Sequence, residues 1–399
     1  MLLTSPRSLY AAFDRFPTRK GASTHIARFA PCLFEHAGGG LLYVMGDATL
    51  PVQQLEGDVE VLRFSLPVEN FLERASAFGA CLERALDETD ERLRIAHFRD
   101  PWSGVPILSR AHRYATVFEV NALPSIELPH AYPGIAPRTL EKIRATEMFC
   151  LHRCDAVVTP SHTTRVLLES LGVPAGKINV VPNGADLIEP APRPQGAPQN
   201  YLLYFGALQA WQGIDTLLRA FARLADLDDL HLVICASHRS RDARRSERFA
   251  ERLGLQRLHW HWELSAAELY PWIGNAQLSL APLRECARNV TQGCAPLKIL
   301  ESMAAGVAVV ASDLPPVREL ISDGVEGRLV APDRPAELAR AIRVLMAYPE
   351  RRRALGARGR ARVAAEFSWQ RSLQALRDVY RRIDPAHAGA PDPGAVVAI

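Results

Sequence analysis

The segment Gln292–Leu320 holds the residues of this chain that are best placed to do chemistry. Its sequence, QGCAPLKILESMAAGVAVVASDLPPVREL, runs from a glycine-containing loop to Pro296, then through a short helical pattern to an apolar strand. Proline suits the first helical position because it lacks the N–H group that would be unsatisfied there. The N–H groups behind it and the helix dipole favour an anion. The segment therefore predicts a phosphate site at the start of the helix.

The predicted helix carries one cation and one anion on the same face. Leu297, Leu300 and Ala304 form its apolar stripe, which leaves Lys298 and Glu301 as neighbours, three residues apart. A lysine in the first turn opposes the helix dipole, and a base that precedes an acid is the weaker orientation for a helical ion pair. A bound phosphate would explain the lysine, with the glutamate accepting hydrogen bonds from hydroxyl groups farther out. The alternative is a solvated Lys–Glu pair, and local chemistry does not decide between the two.

This stretch resembles the nucleotide-sugar signature of the GT-B glycosyltransferases, family 4 in particular. In that family a loop, a helix with a glutamate, a Met-Ala-Ala-Gly turn and a Val-Val-Ala-Ser strand follow in the same order. Further matches extend the resemblance over most of the chain. They are Leu9–Ile26 for the first strand and glycine loop, Asp155–Ser161 and Val181–Asp186 for the end of the N-terminal domain, and Tyr204–Ala220 for the start of the donor domain.

The resemblance implies an enzyme that moves a sugar from a nucleoside-diphosphate donor to a hydroxyl group of a glycan, a lipid or a small molecule. It also implies retention of anomeric configuration without a metal, and the nucleotide sugar would be a substrate, with no cofactor. The backbone amides of Gly293–Leu297, which include that of Cys294, and the Lys298 side chain would bind the diphosphate. Glu301 would hold the ribose hydroxyls. In the mechanism proposed for such enzymes, the departing phosphate helps to remove the acceptor proton.

Two further segments match the family at single positions. The loop Thr18–Thr24, TRKGAST, has one glycine and is a weak phosphate motif by itself, since its serine or threonine could simply cap the next helix. The resemblance implies that Gly21 lets the backbone approach the donor phosphates or the acceptor, and that His25 lines the cleft. His97, at the end of a predicted strand, has a similar match that would make it a catalytic residue together with His25 and Asn121, although an isolated histidine there is more often structural.

The segment Phe118–Pro133 overlaps the end of a predicted strand and carries too many turn-forming residues for a helix. Polar loops at the carboxyl ends of parallel strands form ligand sites, so we expect Glu119, Asn121 and Glu127 to lie where the acceptor is recognised. Many family members have a histidine near position 121. Asn121 can donate a hydrogen bond but cannot carry a proton near neutral pH.

Three positions depart from the family pattern. Members usually have an arginine just after the glycine matched by Gly206, and a lysine just before the glycine matched by Gly213. Both of these cations contact the donor diphosphate. This chain has Ala207 and Gln212 instead, and Gly293 stands where a glutamate usually contacts the transferred sugar.

A diphosphate in a cleft without cations would be poorly compensated, so the charge must be supplied from elsewhere. The local candidates are Lys298, Arg284 and Arg288. A protein of another class remains an alternative, namely a non-catalytic nucleotide-sugar-binding or scaffold protein of the same fold that has lost the basic pair and the first glutamate. A sugar-nucleotide epimerase would need an acid and a base near the sugar, which Asn121 and Gly293 make a weaker fit.

Strand and helix patterns alternate along the chain, which predicts an α/β protein with two doubly wound, Rossmann-like domains that face a cleft. The N-terminal acceptor-side domain would comprise residues 1–188, and the donor domain residues 200–368. Residues 189–199 are too rich in proline for either core and form a linker. The last helix, 369–383, would return to the N-terminal domain. The tail 384–399 is expected to be disordered.

The carboxyl ends of parallel strands form ligand sites in open sheets, so Lys20–His25 and Gly293–Glu301 should face the cleft. This expectation depends on where the strands lie. They are predicted at 9–13, 41–45, 59–64, 94–98, 116–120, 156–159 and 178–181, and then at 201–205, 231–236, 258–262, 278–281, 307–311 and 328–330.

Composition limits the class of protein. A chain of 399 residues with 48% apolar residues and a net charge of +3 is long enough for two globular domains and gives no sign of nucleic-acid binding. The arginine-rich stretches 239–248 and 351–362 are interleaved with acids or alanines, which predicts solvated helix faces. The sequence has no apolar run of membrane-spanning length and no secretory pattern at its N-terminus. We expect a cytoplasmic protein, with contact at the inner face of a membrane left open.

The seven cysteines lack paired metal-ligand spacing, which favours free thiols. Cys150 and Cys154, with His152 between them, would make a poor zinc site without a second ligand pair, so buried packing is the better interpretation. Asp226–Asp229 contains an Asp-x-Asp triplet. It falls where a polar turn is expected, and we predict a turn rather than a metal site.

Overall fold

The computed structural model describes residues 6–19, 21–88, 92–110, 113–239 and 241–384. Two parallel sheets form the cores of two α/β domains, which confirms the predicted fold class. Lys20 and the predicted tail beyond Asp384 lie outside the described residues. Within the described ranges, no helix is long and apolar enough to cross a membrane.

The N-terminal domain is built on an eight-stranded sheet of order β3-β4-β2-β1-β5-β6-β7-β8. All neighbouring strands are parallel except β3 and β4. The sequence missed β3, because this edge strand has the polar sequence QQLE and lacks an apolar face. The strands are β1 (Ser8–Arg15), β2 (Gly40–Met45), β3 (Gln53–Glu56), β4 (Val59–Phe64), β5 (Ile95–Phe98), β6 (Ala115–Glu119), β7 (Ala156–Thr159) and β8 (Ile178–Val180).

Helices cover both faces of this sheet. They are α1 (Gly21–Ala37), α2 (Phe71–Asp87), α3 (Pro101–Leu108), α4 (Pro124–Ala131), α5 (Pro137–Arg153) and α6 (His162–Ser170). The last helix of the described residues, α15 (Trp369–Ile383), packs beside α1 and buries Trp369, Leu376 and Tyr380 in the N-terminal core. The chain therefore leaves this domain and returns to it.

The helix α4 corrects the expectation that Phe118–Pro133 contains no helix. Pro124 occupies the first turn, where a missing N–H group costs nothing, so it starts the helix rather than breaking it. Glu147 of α5 then accepts hydrogen bonds from the backbone N–H and the hydroxyl group of Ser125. The helix is only eight residues long, and Pro129 lies near its end.

The C-terminal domain has a six-stranded, fully parallel sheet of order β11-β10-β9-β12-β13-β14. Residues 189–199, which precede it, contain neither helix nor strand. The strands are β9 (Asn200–Gly206), β10 (Leu230–Ala236), β11 (Leu258–Trp262), β12 (Leu278–Ala281), β13 (Val309–Ser312) and β14 (Gly327–Val330). The helices are α7 (Ile214–Ala222), α8 (Arg241–Arg252), α9 (Ala266–Gly274), α10 (Ala287–Val290), α11 (Leu297–Ala304), α12 (Pro315–Arg318), α13 (Pro335–Ala347) and α14 (Pro349–Glu366).

Hydrogen bonds join the two domains beside the cleft. The Glu319 carboxylate accepts bonds from the backbone N–H groups of His162 and Thr163, which are the first residues of α6. The Gln292 side chain accepts a bond from the backbone N–H of Leu123 at 2.8 Å. A carboxylate at a helix start complements the helix dipole, so a residue of one domain stabilises a helix of the other.

The other polar motifs of the sequence are structural. Cys150 and Cys154 are buried in the N-terminal core. In the Asp226–Asp229 turn, Asp226 pairs with Arg343 and Asp229 accepts a hydrogen bond from Asn200.

Candidate functional site

A cavity of about 630 Å³ lies between the domains. It is bordered by the carboxyl ends of β1, β5 and β6 from one sheet and of β9 and β10 from the other, and by the starts of α1, α2, α3, α4 and α11. This is the position expected for ligand sites in open parallel sheets. Most predicted site residues line it: Gly21, His25, Asn121, Gly206, Gln212, Arg288, Cys294, Lys298 and Glu301.

Helix α11 points its N-terminus at this cavity. Pro296 is the N-cap residue, one position before the first helical residue, where the sequence placed it inside the helix. No side chain caps the helix, and Ile299 donates its N–H to the Pro296 carbonyl, so the N–H groups of Leu297 and Lys298 are the ones available to a ligand. Leu297 packs against the N-terminal core, whereas Leu300 and Ala304 are fully buried in the C-terminal one. The helix start is thereby fixed at the boundary between the domains.

The Lys298 side chain reaches from this helix towards the end of β9. Its Nζ atom donates hydrogen bonds to the Tyr204 hydroxyl at 2.9 Å and to Gln212 Oε1 at 2.7 Å, and lies 4.0 Å from the Tyr204 ring centroid. Gly206 adopts φ +112°, and a Cβ atom there would lie 3.6 Å from Lys298 Nζ. The ammonium group therefore occupies the space between Gly206 and Gln212, which excludes the solvated Lys–Glu pair considered above.

Burial perturbs both charged groups of α11. Loss of solvation lowers the pKa of Lys298 to about 7, although Cys294 and Glu301 oppose the shift. Loss of solvation likewise raises the pKa of Glu301 to about 7, and Lys298 opposes that shift. The two side chains face the cavity but are surrounded by protein, so a phosphate group would restore the charge of the lysine.

The two arginine candidates differ in position. Arg288 lines the cavity, where its Nε atom lies 2.8 Å from Glu127 Oε1 and its guanidinium carbon lies 5.1 Å from the Trp211 ring centroid. Arg284 does not reach the cavity. Its half-exposed side chain pairs with Asp333, with a distance of 3.1 Å between Nε and Oδ1. This placement corrects the expectation that Arg284 helps to neutralise a diphosphate.

The structure also corrects the predicted position of Gly293, which was expected to face the cleft. It does not line the cavity but turns towards α6, where a Cβ atom would lie 2.9 Å from Thr164 Oγ1 and 3.1 Å from two atoms of Thr163. Its φ of +84° is also in the left-handed region, which glycine tolerates best. A glutamate cannot fit here without moving α6. The next residue, Cys294, does line the cavity, and burial raises the pKa of its thiol to about 11.

Glu119 forms the centre of a buried network beneath the cavity floor. Its carboxylate accepts hydrogen bonds from Tyr10, Arg99 and Asn121, and Arg99 also pairs with Asp14. Burial alone would raise the pKa of Glu119, but Arg99 and then two histidines hold it well below its ordinary value. The carboxylate is 1% exposed, so it orients other side chains and is not an acceptor-contacting group.

The two predicted histidines lie on opposite sides of Glu119. His25 lines the cavity, and its Nδ1 atom is 3.2 Å from Glu119 Oε1, an ion-pairing distance without good hydrogen-bond alignment. His97 is completely buried, with Nε2 3.1 Å from Glu119 Oε2 and Nδ1 2.8 Å from the Tyr380 hydroxyl. Burial lowers the pKa of His97. The structure thus corrects the prediction of a catalytic role for His97, which is too deep to touch a substrate.

Asn121 lines the cavity directly above this network. Its side-chain nitrogen donates to Glu119, which holds the amide group in place. Asn183, in the segment Val181–Asp186, also lines the cavity and is 4% exposed. Its nitrogen donates to the Ala295 carbonyl at 2.7 Å, and its Oδ1 atom has no protein partner.

Several cavity residues escaped the sequence analysis. Arg99 directly follows β5, and a charged residue at the carboxyl end of a strand is a signal that could have identified it. Tyr204 and Trp211 lie within a segment that was matched to the family, but their chemistry is not distinctive. The aromatic residues Phe13, Phe71 and Trp102 come from three separate elements and become neighbours only in the folded chain.

Comparison with known proteins gives two matching families. The profile described as Glycosyl transferases group 1 matches residues 199–348, and the profile described as Glycosyltransferase Family 4 matches residues 20–189. Together the two matches cover most of the chain, and the gap between them falls within the predicted linker, residues 189–199.

Two curated relatives illustrate the range of similar sequences. D-inositol 3-phosphate glycosyltransferase from Geodermatophilus obscurus is 30% identical over 304 residues, which make up 71% of this chain and 62% of the relative. Alpha-maltose-1-phosphate synthase from Mycolicibacterium smegmatis is 27% identical over 292 residues, 65% of this chain and 73% of the relative. The chain thus spans less than two thirds of the length of the first relative.

Solved structures share the fold over nearly the full length. Sucrose-phosphate synthase from Thermosynechococcus elongatus matches with a TM-score of 0.77 and 19% identity, over 95% of this chain and 99% of that one. The Anabaena protein HepE in complex with UDP-glucose matches with a TM-score of 0.73 and 16% identity, over 93% and 99% of the respective chains. At such identities the similarity establishes the architecture of two domains around a cleft.

Proposed function

Because the chain belongs to the GT-B glycosyltransferases of group 1, we propose that it transfers a sugar from a nucleoside-diphosphate donor to a hydroxyl group of an acceptor. The observation that carries the proposal is the position of Lys298. Its ammonium group lies in the cleft beside the uncapped start of α11, within hydrogen-bond distance of Gln212 and close to Gly206. A single cation beside free backbone N–H groups is the chemistry that binds a diphosphate.

Lys298 compensates in space for the family cations that are absent in sequence. Those cations belong to positions 207 and 212, where this chain has Ala207 and Gln212. The Lys298 side chain comes from another element but bonds directly to Gln212. Arg288 adds a second cation on the cavity wall. The positive charge that the family places after β9 would thus come from Lys298 of α11 and Arg288 of α10. The absence of cations at positions 207 and 212 therefore does not favour a scaffold protein.

The remaining donor contacts follow from the direction of α11. The N–H groups of its first turn and Lys298 would bind the diphosphate, while Glu301, one turn farther along, would accept hydrogen bonds from the ribose hydroxyls. Glu301 is most effective as an ionised acceptor. A diphosphate that keeps Lys298 protonated would favour that ionised form, because the two groups attract each other.

We further propose that transfer proceeds with retention and without a metal or another cofactor. A covalent route would need a carboxylate free to attack the sugar. Among the described carboxylates of the cavity, Asp100 accepts hydrogen bonds on both oxygens from the backbone N–H of Phe13 and from Ser103, and Asp14 and Glu127 pair with arginines. Glu301, which also lines the cavity, is assigned to the ribose hydroxyls of the donor. The leaving phosphate would then be the base for the acceptor hydroxyl, and Asn121 would orient the sugar through its amide group.

Thermal unfolding in the presence of nucleoside diphosphates and nucleotide sugars tests the proposal, since a ligand that binds the folded state raises Tm. We expect one donor to raise Tm, with a smaller shift for Lys298→Ala. Glu301→Ala should abolish or greatly weaken use of that donor while the protein remains folded. An absence of any shift across the panel would contradict the donor site and favour a scaffold protein. A Glu301→Ala variant with unchanged donor affinity and turnover would contradict the assignment of that residue.

A further inference from the structure

Three aromatic side chains of the N-terminal domain form one wall of the cavity, here termed the aromatic wall. Phe13 lies near the end of β1, Phe71 begins α2, and Trp102 lies in the first turn of α3. All three are only partly buried, so ring surface remains open to the cavity. Large apolar surface left accessible in a cleft is typical of a ligand site.

Packing holds these rings in fixed positions. The Phe13 and Phe71 ring centroids are 5.6 Å apart and nearly perpendicular, and those of Phe71 and Trp102 are 6.1 Å apart in a similar arrangement. The fully buried Phe78 supports Phe13 from behind at 5.0 Å, and Tyr132 extends the cluster at its rim. Edge-to-face contacts of this kind stabilise the rings against each other, so the wall is preformed before a ligand binds.

Three described cations near the cavity already have partners. Arg99 pairs with Asp14 and Glu119, and Arg288 pairs with Glu127 and is assigned to the proposed diphosphate site. Arg74 lies 5.9 Å from the Phe71 ring centroid, but its guanidinium donates to the carbonyl groups of Val68 and Glu69. These cations therefore have carboxylate or carbonyl partners already in the ligand-free protein.

Two described lining cations remain. Lys298 belongs to the proposed diphosphate site. Arg19 also lines the cavity, and its charge acts on Glu268 of α9, on the side of the C-terminal domain. A phosphate group beside the aromatic wall would thus lack an uncommitted described cation, and an uncompensated phosphate in a cleft is costly.

We propose that the aromatic wall binds the acceptor, and that this acceptor is a neutral glycoside rather than a sugar phosphate. The apolar face of a sugar ring, or an apolar group attached to it, would pack on the exposed rings. The exposed Asp14 carboxylate would accept hydrogen bonds from its hydroxyl groups. This inference rests on the proposed function. It separates this chain from those of its relatives whose names specify phosphorylated compounds.

The test uses the full-length protein and the donor identified by thermal unfolding. Transfer is measured to methyl glycosides, to p-nitrophenyl glycosides and to the 6-phosphates of the same sugars. We expect transfer to the neutral compounds and little to the phosphates. Use of methyl glycosides would assign the wall to the sugar ring, whereas exclusive use of p-nitrophenyl glycosides would assign it to the attached apolar group. Both outcomes support a neutral acceptor, and a preference for the phosphates would overturn it.

Variants of the wall separate binding from folding. Trp102→Ala should raise KM for the neutral acceptor by about tenfold or more, whereas Trp102→Phe should recover much of the loss. Phe149→Ala, which removes another exposed ring of the N-terminal domain outside the cavity, is the matched control. The donor-induced Tm shift should persist in all three. An unchanged KM for Trp102→Ala would overturn the inference about the acceptor but not the donor site. Failure of the wild type to bind any nucleotide donor would contradict the proposed function itself.

Discussion

The Nε atom of Arg288 lies 2.8 Å from the Oε1 atom of Glu127, so a carboxylate of the N-terminal domain holds a cation of the C-terminal domain across the cleft. Trp211 supports the same guanidinium from one side. The arginine is thus close to the proposed diphosphate site but engaged elsewhere in the ligand-free protein. A donor must compete with Glu127 for this cation.

Because of this competition, substitutions of Arg288 and Glu127 should change the affinity for a nucleoside diphosphate in opposite directions. Arg288→Ala should weaken binding of the nucleoside diphosphate by about tenfold or more, since a charge-assisted hydrogen bond contributes roughly 1.5–3 kcal/mol. Glu127→Ala should strengthen binding, because the arginine is released to the ligand. Isothermal titration calorimetry with both single variants and the double variant measures these changes. If both single variants weaken binding equally, the pair only joins the domains.

Lys298 should lower the stability of the ligand-free protein. Its pKa falls from the ordinary 10.5 to about 7 on folding, so between these pH values the unfolded chain holds a proton that the folded chain has lost. Stability of the wild type therefore rises with pH across this window, and the penalty is largest at or below pH 7. We expect Lys298→Met to raise Tm at pH 7, with a gain that shrinks towards pH 10.

Thermal unfolding of both proteins from pH 6 to 10 measures this effect. Lys142→Met, at an exposed position of α5, is the matched control and should give no such pH-dependent difference. Lys298→Met should also lose the stabilisation by a nucleoside diphosphate. A variant that is less stable than the wild type at pH 7 would show that Lys298 is a structural residue instead.

Substitution of two glycines tests whether steric crowding explains why Gly293 stands in place of the family glutamate. Gly293 and Gly254 both have positive φ angles, of 84° and 66°, but only Gly293 is crowded, since nothing lies within 4 Å of a Cβ atom built on Gly254. Alanine should cost about 1–2 kcal/mol at Gly254 through backbone strain alone. At Gly293 we expect roughly 1–3 kcal/mol more, because Thr163 and Thr164 of α6 must move. Urea unfolding of the two variants gives the comparison, and equal losses would exclude the steric explanation.

The buried carboxylate of Glu119 should contribute strongly to the stability of the folded protein. Glu119→Gln leaves the buried Arg99 guanidinium with the partly exposed Asp14 as its remaining carboxylate partner, and breaking a buried ion pair typically costs about 3–5 kcal/mol. Glu35→Gln, which removes the exposed partner of Arg377, should cost no more than about 1 kcal/mol. Chemical unfolding at pH 7 distinguishes the two, and a loss at Glu119 as small as that at Glu35 would show that the network is not needed for stability.

The sequence predicted the parts of this site that are local. Lys298 and Glu301 belong to one short helix, so their spacing alone places them side by side. The strands were recognisable because buried parallel strands are continuous apolar runs, whereas the polar edge strand β3 was not. The turn-forming residues of Phe118–Pro133 predict a loop, because the sequence does not show that α4 begins at Pro124.

Side-chain direction and long-range contacts were beyond prediction. His97 lies on β5 among apolar residues, and only the packing of Tyr380 from α15 shows that it faces inward. Arg284 and Arg288 both shortly precede the motif in sequence, but Arg284 pairs with Asp333 and does not line the cleft. The relocation of charge to Lys298 is likewise visible only when Gln212 appears beside it.

The return of α15 to the N-terminal domain has a consequence for biosynthesis. Trp369, Leu376 and Tyr380 complete a core whose other members, such as Tyr10 and Phe29, are synthesised more than three hundred residues earlier. The whole donor domain is therefore synthesised before α15 can complete the core of the N-terminal domain. Until α15 is synthesised, the surface of α1 that it will cover stays exposed, so the N-terminal domain carries an uncovered apolar face, and with it a risk of aggregation, throughout synthesis of the donor domain.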